Sequence, residues 1–459
     1  MNITIPRLFL TILLLGAVGT ISFPAAAADA AADVESATHA FSSMKIKGSL
    51  NSSYYFRSND GDDDNDLYSY LSMQLDDIVE DHMDAAFSLF WHYDLDGETG
   101  GNYAYDPFLD IDQSASREFR AYTGYVKLKE LGFESSWLRL GRQVLEEIDY
   151  AHFDGATYGF SPMEKLEVQF FGGAPVTFYS GSGGDAFYGT NVDYRFSDRL
   201  RVAGRYYCYD SDPFQDDVAE IEIWNQVTSW LMTHDKFSLL DGEPYLLEDN
   251  VYARFEAIDL DVFFKWLTLF DHVEDHTINF NPYFPLLNGY EPFNYISLYG
   301  IKGLSKYLSV SGGVDYRAAE DGTTVEVFNN RDYVRGTVGV EVYPTEQLTI
   351  SANAEFWRAD PDDEFTGFSG EVEYKPNKKW TLAAGAEYGE YVQEYRDEFL
   401  LFFGESRVFR ISPDVITYYA SVKWQPTSRV YTKASFEIED SDYEDEEWFA
   451  LRLQAGVTF

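Results

Sequence analysis

The 459-residue sequence predicts an all-β chain, folded as a transmembrane, antiparallel, up-and-down β-barrel of about twenty strands. Three observations predict it. Segments of about ten residues alternate apolar and polar side chains, the period of a strand with one apolar face. The chain is polar on average, with a mean hydropathy of −0.31, yet 17% of its residues are Phe, Tyr or Trp. The turns between segments repeat one pattern. A barrel in a bilayer needs this combination, because half of each strand meets lipid, half meets water, and aromatic rings gather at both interfaces. A helical membrane bundle is excluded, since the only long apolar run lies at the very start of the chain.

That run reads as a secretory signal over residues 1–28. Arg7 is the only charge before Asp29, Leu8 to Ile21 is apolar, and Ala25 to Ala28 supplies small residues for cleavage. It falls short of the roughly 20 residues that a spanning helix needs. Residues 29–43 carry little pattern and read as a periplasmic lead-in, which leaves 44–459 for the barrel.

The strands follow in order. Nine are expected near 44–56, 67–77, 83–93, 117–128, 135–143, 150–160, 165–174, 186–196 and 199–209. Eleven more are expected near 250–257, 260–269, 292–302, 307–317, 331–342, 347–358, 366–375, 379–390, 412–424, 429–440 and 447–459. The total is even, as in single-chain bacterial barrels. The segments 150–160 and 250–257 carry the weakest pattern, and eighteen strands also fit. Residues 210–249 are too long for a turn. Within them Val218, Ile221, Trp224 and Leu231 recur at helical spacing after Asp216 and Asp217. This predicts a long outer loop with a short helix; folding inward to narrow the lumen is its functional option, and a lid over the rim or two extra strands are the alternatives.

The turns fix the sides. Val342-Tyr-Pro-Thr-Glu-Gln-Leu348, Tyr374-Lys-Pro-Asn-Lys-Lys-Trp380 and Trp424-Gln-Pro-Thr-Ser-Arg-Val430 share a pattern, with Tyr194-Arg-Phe-Ser-Asp-Arg-Leu200 as a variant without proline. Proline sets φ for a tight turn and lacks the donor a ladder would use. These turns are expected on the periplasmic side, with Tyr194, Tyr374, Trp380 and Trp424 in an interfacial girdle. The long acidic segments 57–66, 94–116, 270–291, 318–330 and 391–411 then all fall on the outer side.

Alternation also assigns the inner wall. Arg139, Arg201, Arg205, Arg335, Lys433 and Arg452 are expected to project inward, together with Glu341, Glu355, Glu387, Glu437 and Glu439. Rings of charge set ion preference in pores, and facing strips of opposite charge sort solutes by dipole. The net charge of −44, from 78 acids against 34 bases, reads first as solubility and acidic outer loops, with a negative field that concentrates cations as the sharper alternative. It also makes nucleic acid an unexpected partner.

Other chemistry finds little support. Asp62 to Met73 fails as a calcium loop, because Leu67 stands where Gly is needed and Met73 where a bidentate Glu should be. The run from Asp60 to Asp66 reads as a solvated acidic loop, with a surface cation site as the alternative, and Asp440 to Glu447 reads the same way. His272 and His276 lie four apart but in neither zinc-peptidase order. Gly181-Ser-Gly-Gly184 fits no dinucleotide pattern. There is no Gly-x-Ser-x-Gly, and the single cysteine, Cys208, allows neither an intrachain disulfide nor a haem-attachment motif. No enzyme, resident cofactor or metal is expected.

Two segments carry a resemblance. The last thirteen residues, Glu447 to Phe459, place Phe449, Leu451, Leu453, Ala455, Val457 and Phe459 on one face. This resembles the closing strand of bacterial outer-membrane barrels, whose terminal aromatic is the assembly signal, although Val457 stands where those barrels often carry a second aromatic. Leu138-Arg-Leu-Gly-Arg-Gln143 with Phe153-Asp-Gly155 resembles a strand-and-loop element of large porin-type families, including alginate-export-like barrels. The resemblance implies a water-filled channel in the Gram-negative outer membrane for passive diffusion of small hydrophilic solutes or ions, reached through the periplasm. It implies outer-membrane lipid, lipopolysaccharide and the barrel-assembly machinery as partners, with Phe459, Val457 and Leu453 as the assembly signal. A homotrimer is a further option. Two alternatives stand beside the porin: the sheath of a porin–cytochrome conduit with a multihaem cytochrome in its lumen, and a substrate-specific exporter.

Overall fold

The computed structural model describes residues 44–59, 62–95, 117–132, 134–148, 151–176, 185–211, 214–270, 292–320, 332–359, 363–396, 408–442 and 447–459. The signal and lead-in, His272 to His276, Gly181 to Gly184 and most of the acidic segments lie outside these residues.

The described chain is almost wholly strand. The first nine are β1 (Lys45–Asn59), β2 (Asp62–Val79), β3 (Met83–Asp94), β4 (Arg117–Lys129), β5 (Trp137–Val144), β6 (His152–Met163), β7 (Leu166–Pro175), β8 (Ala186–Ser197) and β9 (Leu200–Ser211). Next come β10 (Phe214–Thr228), β11 (Leu231–Leu240), β12 (Glu243–Phe255), β13 (Leu260–Leu269), β14 (Phe293–Ser305), β15 (Leu308–Ala319) and β16 (Tyr333–Thr345). The last are β17 (Leu348–Ala359), β18 (Asp363–Asn377), β19 (Trp380–Arg396), β20 (Val408–Ile411), β21 (Asp414–Thr427), β22 (Val430–Ser441) and β23 (Glu447–Thr458). Each pairs antiparallel with its sequence neighbour, except that β20 meets only the far end of β19, which runs on to β21. Then β23 pairs with β1 and closes the circle. Twenty-two strands therefore form the barrel, about 40 Å across at the spacing and tilt of such walls.

Closure is made by the last residue. Phe459 exchanges two backbone hydrogen bonds with Gly48, both 3.0 Å, and its ring lies where a Cβ on Gly48 would stand. The terminal alternation places Leu453 and Val457 on the outward face.

The expectation of a helical loop over 210–249 is corrected. The segment forms the end of β9, the hairpin β10–β11 and half of β12. The helical spacing came from residues on opposite faces: Val218 and Trp224 point inward and Ile221 outward. Both faces carry apolar side chains here, so the period of two was blurred. The two added strands keep the total even, so the sides assigned to every turn and loop survive.

One rim carries short turns built alike. Ser197, Thr228, Ser305, Thr345, Asn377 and Thr427 each accept, through a side-chain oxygen, the backbone N–H two residues on. This side-chain turn orients the chain at the cost of no ladder bond. Lys45, Phe459 and the expected girdle residues Tyr194, Tyr374, Trp380 and Trp424 lie toward this rim, and the Trp380 and Trp424 rings stand 6.1 Å apart. The long connections leave from the other rim.

Candidate functional site

The two faces of the wall are told apart by burial. Side chains from nine consecutive strands, β6 to β14, bury one another together with the β5–β6 connection, which is possible only on the concave face. The opposite face exposes large apolar side chains all round: Phe119, Val338, Phe356 and Tyr418 are each half exposed or more. Strand pairing then puts all eleven charged residues singled out in the sequence on the inner face.

The structure groups these residues unevenly. Arg335 donates to Asp315 through Nε and a terminal nitrogen, both at 2.7 Å, and stands 3.7 Å from Glu355. Arg201 pairs with Asp193 and lies over Trp224 at 4.1 Å. Arg205 is buried between Glu220 and Glu222; Lys236 also holds Glu220 at 2.9 Å, and His234 holds Glu222. Arg139 faces Lys127 directly across the β4–β5 ladder, with Tyr125 and Trp137 beneath its guanidinium. Arg452 lies over Tyr55 at 4.5 Å. Lys433 faces Lys423 across the β21–β22 ladder. Glu341 accepts from Tyr343. Glu439 accepts from Thr417 at 3.3 Å, and among the described residues no cation pairs with Glu387, Glu437 or Glu439.

Several inner-wall groups escaped the sequence reading. Glu220, Glu222, His234, Lys236 and Glu248 all sit in the segment taken for a loop. Their signal was the alternation Val218-Ala-Glu-Ile-Glu-Ile-Trp224, in which the acids share the face of Trp224.

At the rim of long connections the inner wall of β6–β14 is apolar. Phe153, Phe171, Phe187, Tyr207, Tyr209, Val218, Leu240, Tyr245, Leu269 and Phe293 form one cluster. The β5–β6 connection folds onto it: Leu145, Ile148 and Ala151 are 3%, 2% and 0% exposed, and Leu145 N–H donates to Ala151 O at 3.0 Å. The segment 210–249, expected to fold inward as a loop, is part of the wall itself, and among the described residues this short connection is the segment folded onto the inner wall. The porin-like motif explains its placement. Arg142 grips Asp154 through two hydrogen bonds of 2.8 and 2.7 Å, and Gly141, at φ +124°, pairs with Gly155 on one side, while on the other a Cβ on it would lie 2.3 Å from Gly124 O.

Two recesses open in the inner wall. One, of about 490 Å³, lies toward the short-turn rim and is basic and aromatic, lined by Arg195, Arg201, Trp224, His234, Tyr252 and Lys265 among others. The other, of about 600 Å³, lies between β14 and β19 and carries Asp315, Glu355 and Glu387 against Arg335. Ser297 belongs to both.

The acidic stretch at the β1–β2 rim is spoken for. Arg57 lies between Asp64 and Asp66, and Asp66 also accepts from His92 at 2.5 Å and Tyr68 at 3.1 Å. Among the described residues no group of three or more potential ligands gathers to hold a metal.

No protein-family model matches the sequence, and no curated protein matches it. Solved structures do resemble the fold. A BenF-like porin from Pseudomonas fluorescens Pf-5 aligns with a TM-score of 0.46 and 11% identity, over 92% of this chain and 99% of that one. Acinetobacter baumannii OccAB4 aligns at 0.44 and 11%, over 91% and 98%, and Pseudomonas aeruginosa OprD at 0.40 and 9%, over 90% and 96%.

Proposed function

We propose that the chain is an outer-membrane porin, a water-filled barrel through which small hydrophilic solutes or ions diffuse passively, with a preference for cations. One observation carries the reading. A closed barrel exposes large apolar side chains such as Phe119, Val338, Phe356 and Tyr418 on its outer face and gathers charged side chains such as Arg205, Arg335 and Glu387 on its inner face. Such a surface suits hydrocarbon outside and water inside, and closure leaves no unpaired edge for lipid to meet. The short-turn rim, holding Lys45 and Phe459, faces the periplasm in this reading. Among the described residues, the apolar cluster and the β5–β6 connection narrow the lumen from the side of β6–β14.

Cation preference follows from the wall between β16 and β23, where Glu387, Glu437 and Glu439 face the lumen without a paired cation. Carboxylates fixed in a confined aqueous path raise the local concentration of cations. The test is single-channel recording of the purified barrel in a planar bilayer across a potassium chloride gradient. A stable conductance with a cation-selective reversal potential is expected. A silent barrel overturns the porin reading and favours a sheath around a second protein; an anion-selective potential overturns the preference.

A further inference from the structure

The recess between β14 and β19 is built for one kind of solute. Its floor is small: Gly313, Thr337 and Gly367 occupy one row of the inner wall, and Ser311, Gly339, Asn353 and Ser369 the next. The glycines are required, because a Cβ on Gly313 would lie 2.9 Å from the Tyr299 ring and one on Gly367 2.5 Å from the Phe365 ring. The two rings wall opposite ends of the row. Phe365 is braced by Tyr391 at 4.6 Å, and Tyr295 is tied to Asp315 by a 3.2 Å hydrogen bond. Between the rings stand acceptors and hydroxyls: Glu355, Glu387, Asn353 and the serines. Arg335 is held in place by Asp315, with Glu355 on its other side.

Each class of solute meets this lining differently. An apolar molecule would strip water from three carboxylates and a guanidinium for little return. An anion would face Asp315, Glu355 and Glu387 with one guanidinium already engaged. A ring of hydroxyls offers its C–H faces to the two aromatic ends and its O–H groups to the fixed acceptors, and an ammonium would find Glu387. A recess of about 600 Å³ is the size of sites that take small organic ligands. From this lining we infer that the recess is a binding subsite for a small saccharide, preferentially one bearing an amine. The inference deepens the porin reading and rests on it for the route by which solute arrives, but binding itself needs only the folded barrel.

The experiment is calorimetric titration of the folded barrel in detergent with glucosamine, glucose and acetate, run beside potassium chloride conductance. Glucosamine should bind more tightly than glucose, and acetate should not compete. Glu387→Gln should weaken glucosamine about tenfold, the worth of one charge-assisted hydrogen bond, and bring it level with glucose. Phe365→Ala should weaken both sugars about fivefold, with folding checked by circular dichroism. Conductance without sugar binding, or binding untouched by both substitutions, overturns the inference and leaves the channel. Binding as expected in a barrel that conducts no salt supports the subsite and overturns the porin instead.

Discussion

The β5–β6 connection offers the sharpest test of how the lumen is shaped. Leu145 and Ile148 are almost fully buried against the inner apolar cluster. Burying one such side chain contributes about 1.5–3 kcal/mol. Replacing both, Leu145→Ser with Ile148→Ser, should therefore remove about 3–6 kcal/mol of docking energy. At 1.4 kcal/mol per tenfold, the undocked population rises by a factor of about 10² to 10⁴. Glu146 and Glu147 stand between the two substituted residues, so a protease that cuts after glutamate reports that population directly. When opening and closing are fast, the cutting rate tracks the fraction open. Cleavage at Glu146 or Glu147, read by the mass of the new termini, should accelerate at least about a hundredfold on this arithmetic. A variant cut within about threefold of the parent refutes the claim that burial of these two side chains holds the connection inward.

Three further outcomes follow from the same wall. Arg205→Met should destabilise the barrel by about 3–5 kcal/mol in denaturant unfolding followed by tryptophan fluorescence, because it leaves Glu220 and Glu222 buried with fewer partners; Arg205→Met with Glu222→Gln should recover part of that loss. Gly141→Ala should cost at least about 1–3 kcal/mol, since alanine must both adopt a positive φ and clear the Gly124 carbonyl, and the yield of folded barrel in refolding from urea measures it. Glu437→Gln with Glu439→Gln should shift the reversal potential toward zero in the salt-gradient recording; an unchanged potential removes these two carboxylates from ion selection.

The fold was largely legible because a wall of this kind repeats one instruction. Where the outward face is apolar and the inward face polar, as along Val334 to Val342 and Leu348 to Phe356, alternation alone places every side chain. Legibility failed at β10 and β11 for a physical reason. The inner wall there is apolar at one end, so Val218 and Leu240 look no different from outward residues. Another signal was present. Thr228-Ser-Trp-Leu231 repeats the turn of Thr427-Ser-Arg-Val430 and Ser197-Asp-Arg-Leu200, in each of which a hydroxyl accepts the N–H two residues on. Attention to proline hid that likeness, because the hydroxyl directs the turn and proline only accompanies it in some copies. The charged inner residues were legible one by one. Their grouping was not, since Arg335 and Asp315 lie 20 residues apart and meet only through strand register.

The inner wall divides into two unlike halves, and the division bears on how so wide a barrel would select among solutes on the porin reading. From β6 to β14 side chains meet one another: rings and aliphatic groups toward one rim, and below them the paired charges of Arg205, Glu220, Glu222 and Lys236. Charges that neutralise one another at contact distance project little field into the lumen. From β16 to β23 the inner wall carries Glu387, Glu437 and Glu439, which pair with no cation among the described residues. On the porin reading, the cluster would leave solute the side of the acidic wall, and the recess between β14 and β19 lies where the two halves meet. The sign of the charge that a permeating molecule feels is then set by a few glutamates on one side of the barrel, although both signs are present in the lumen as a whole.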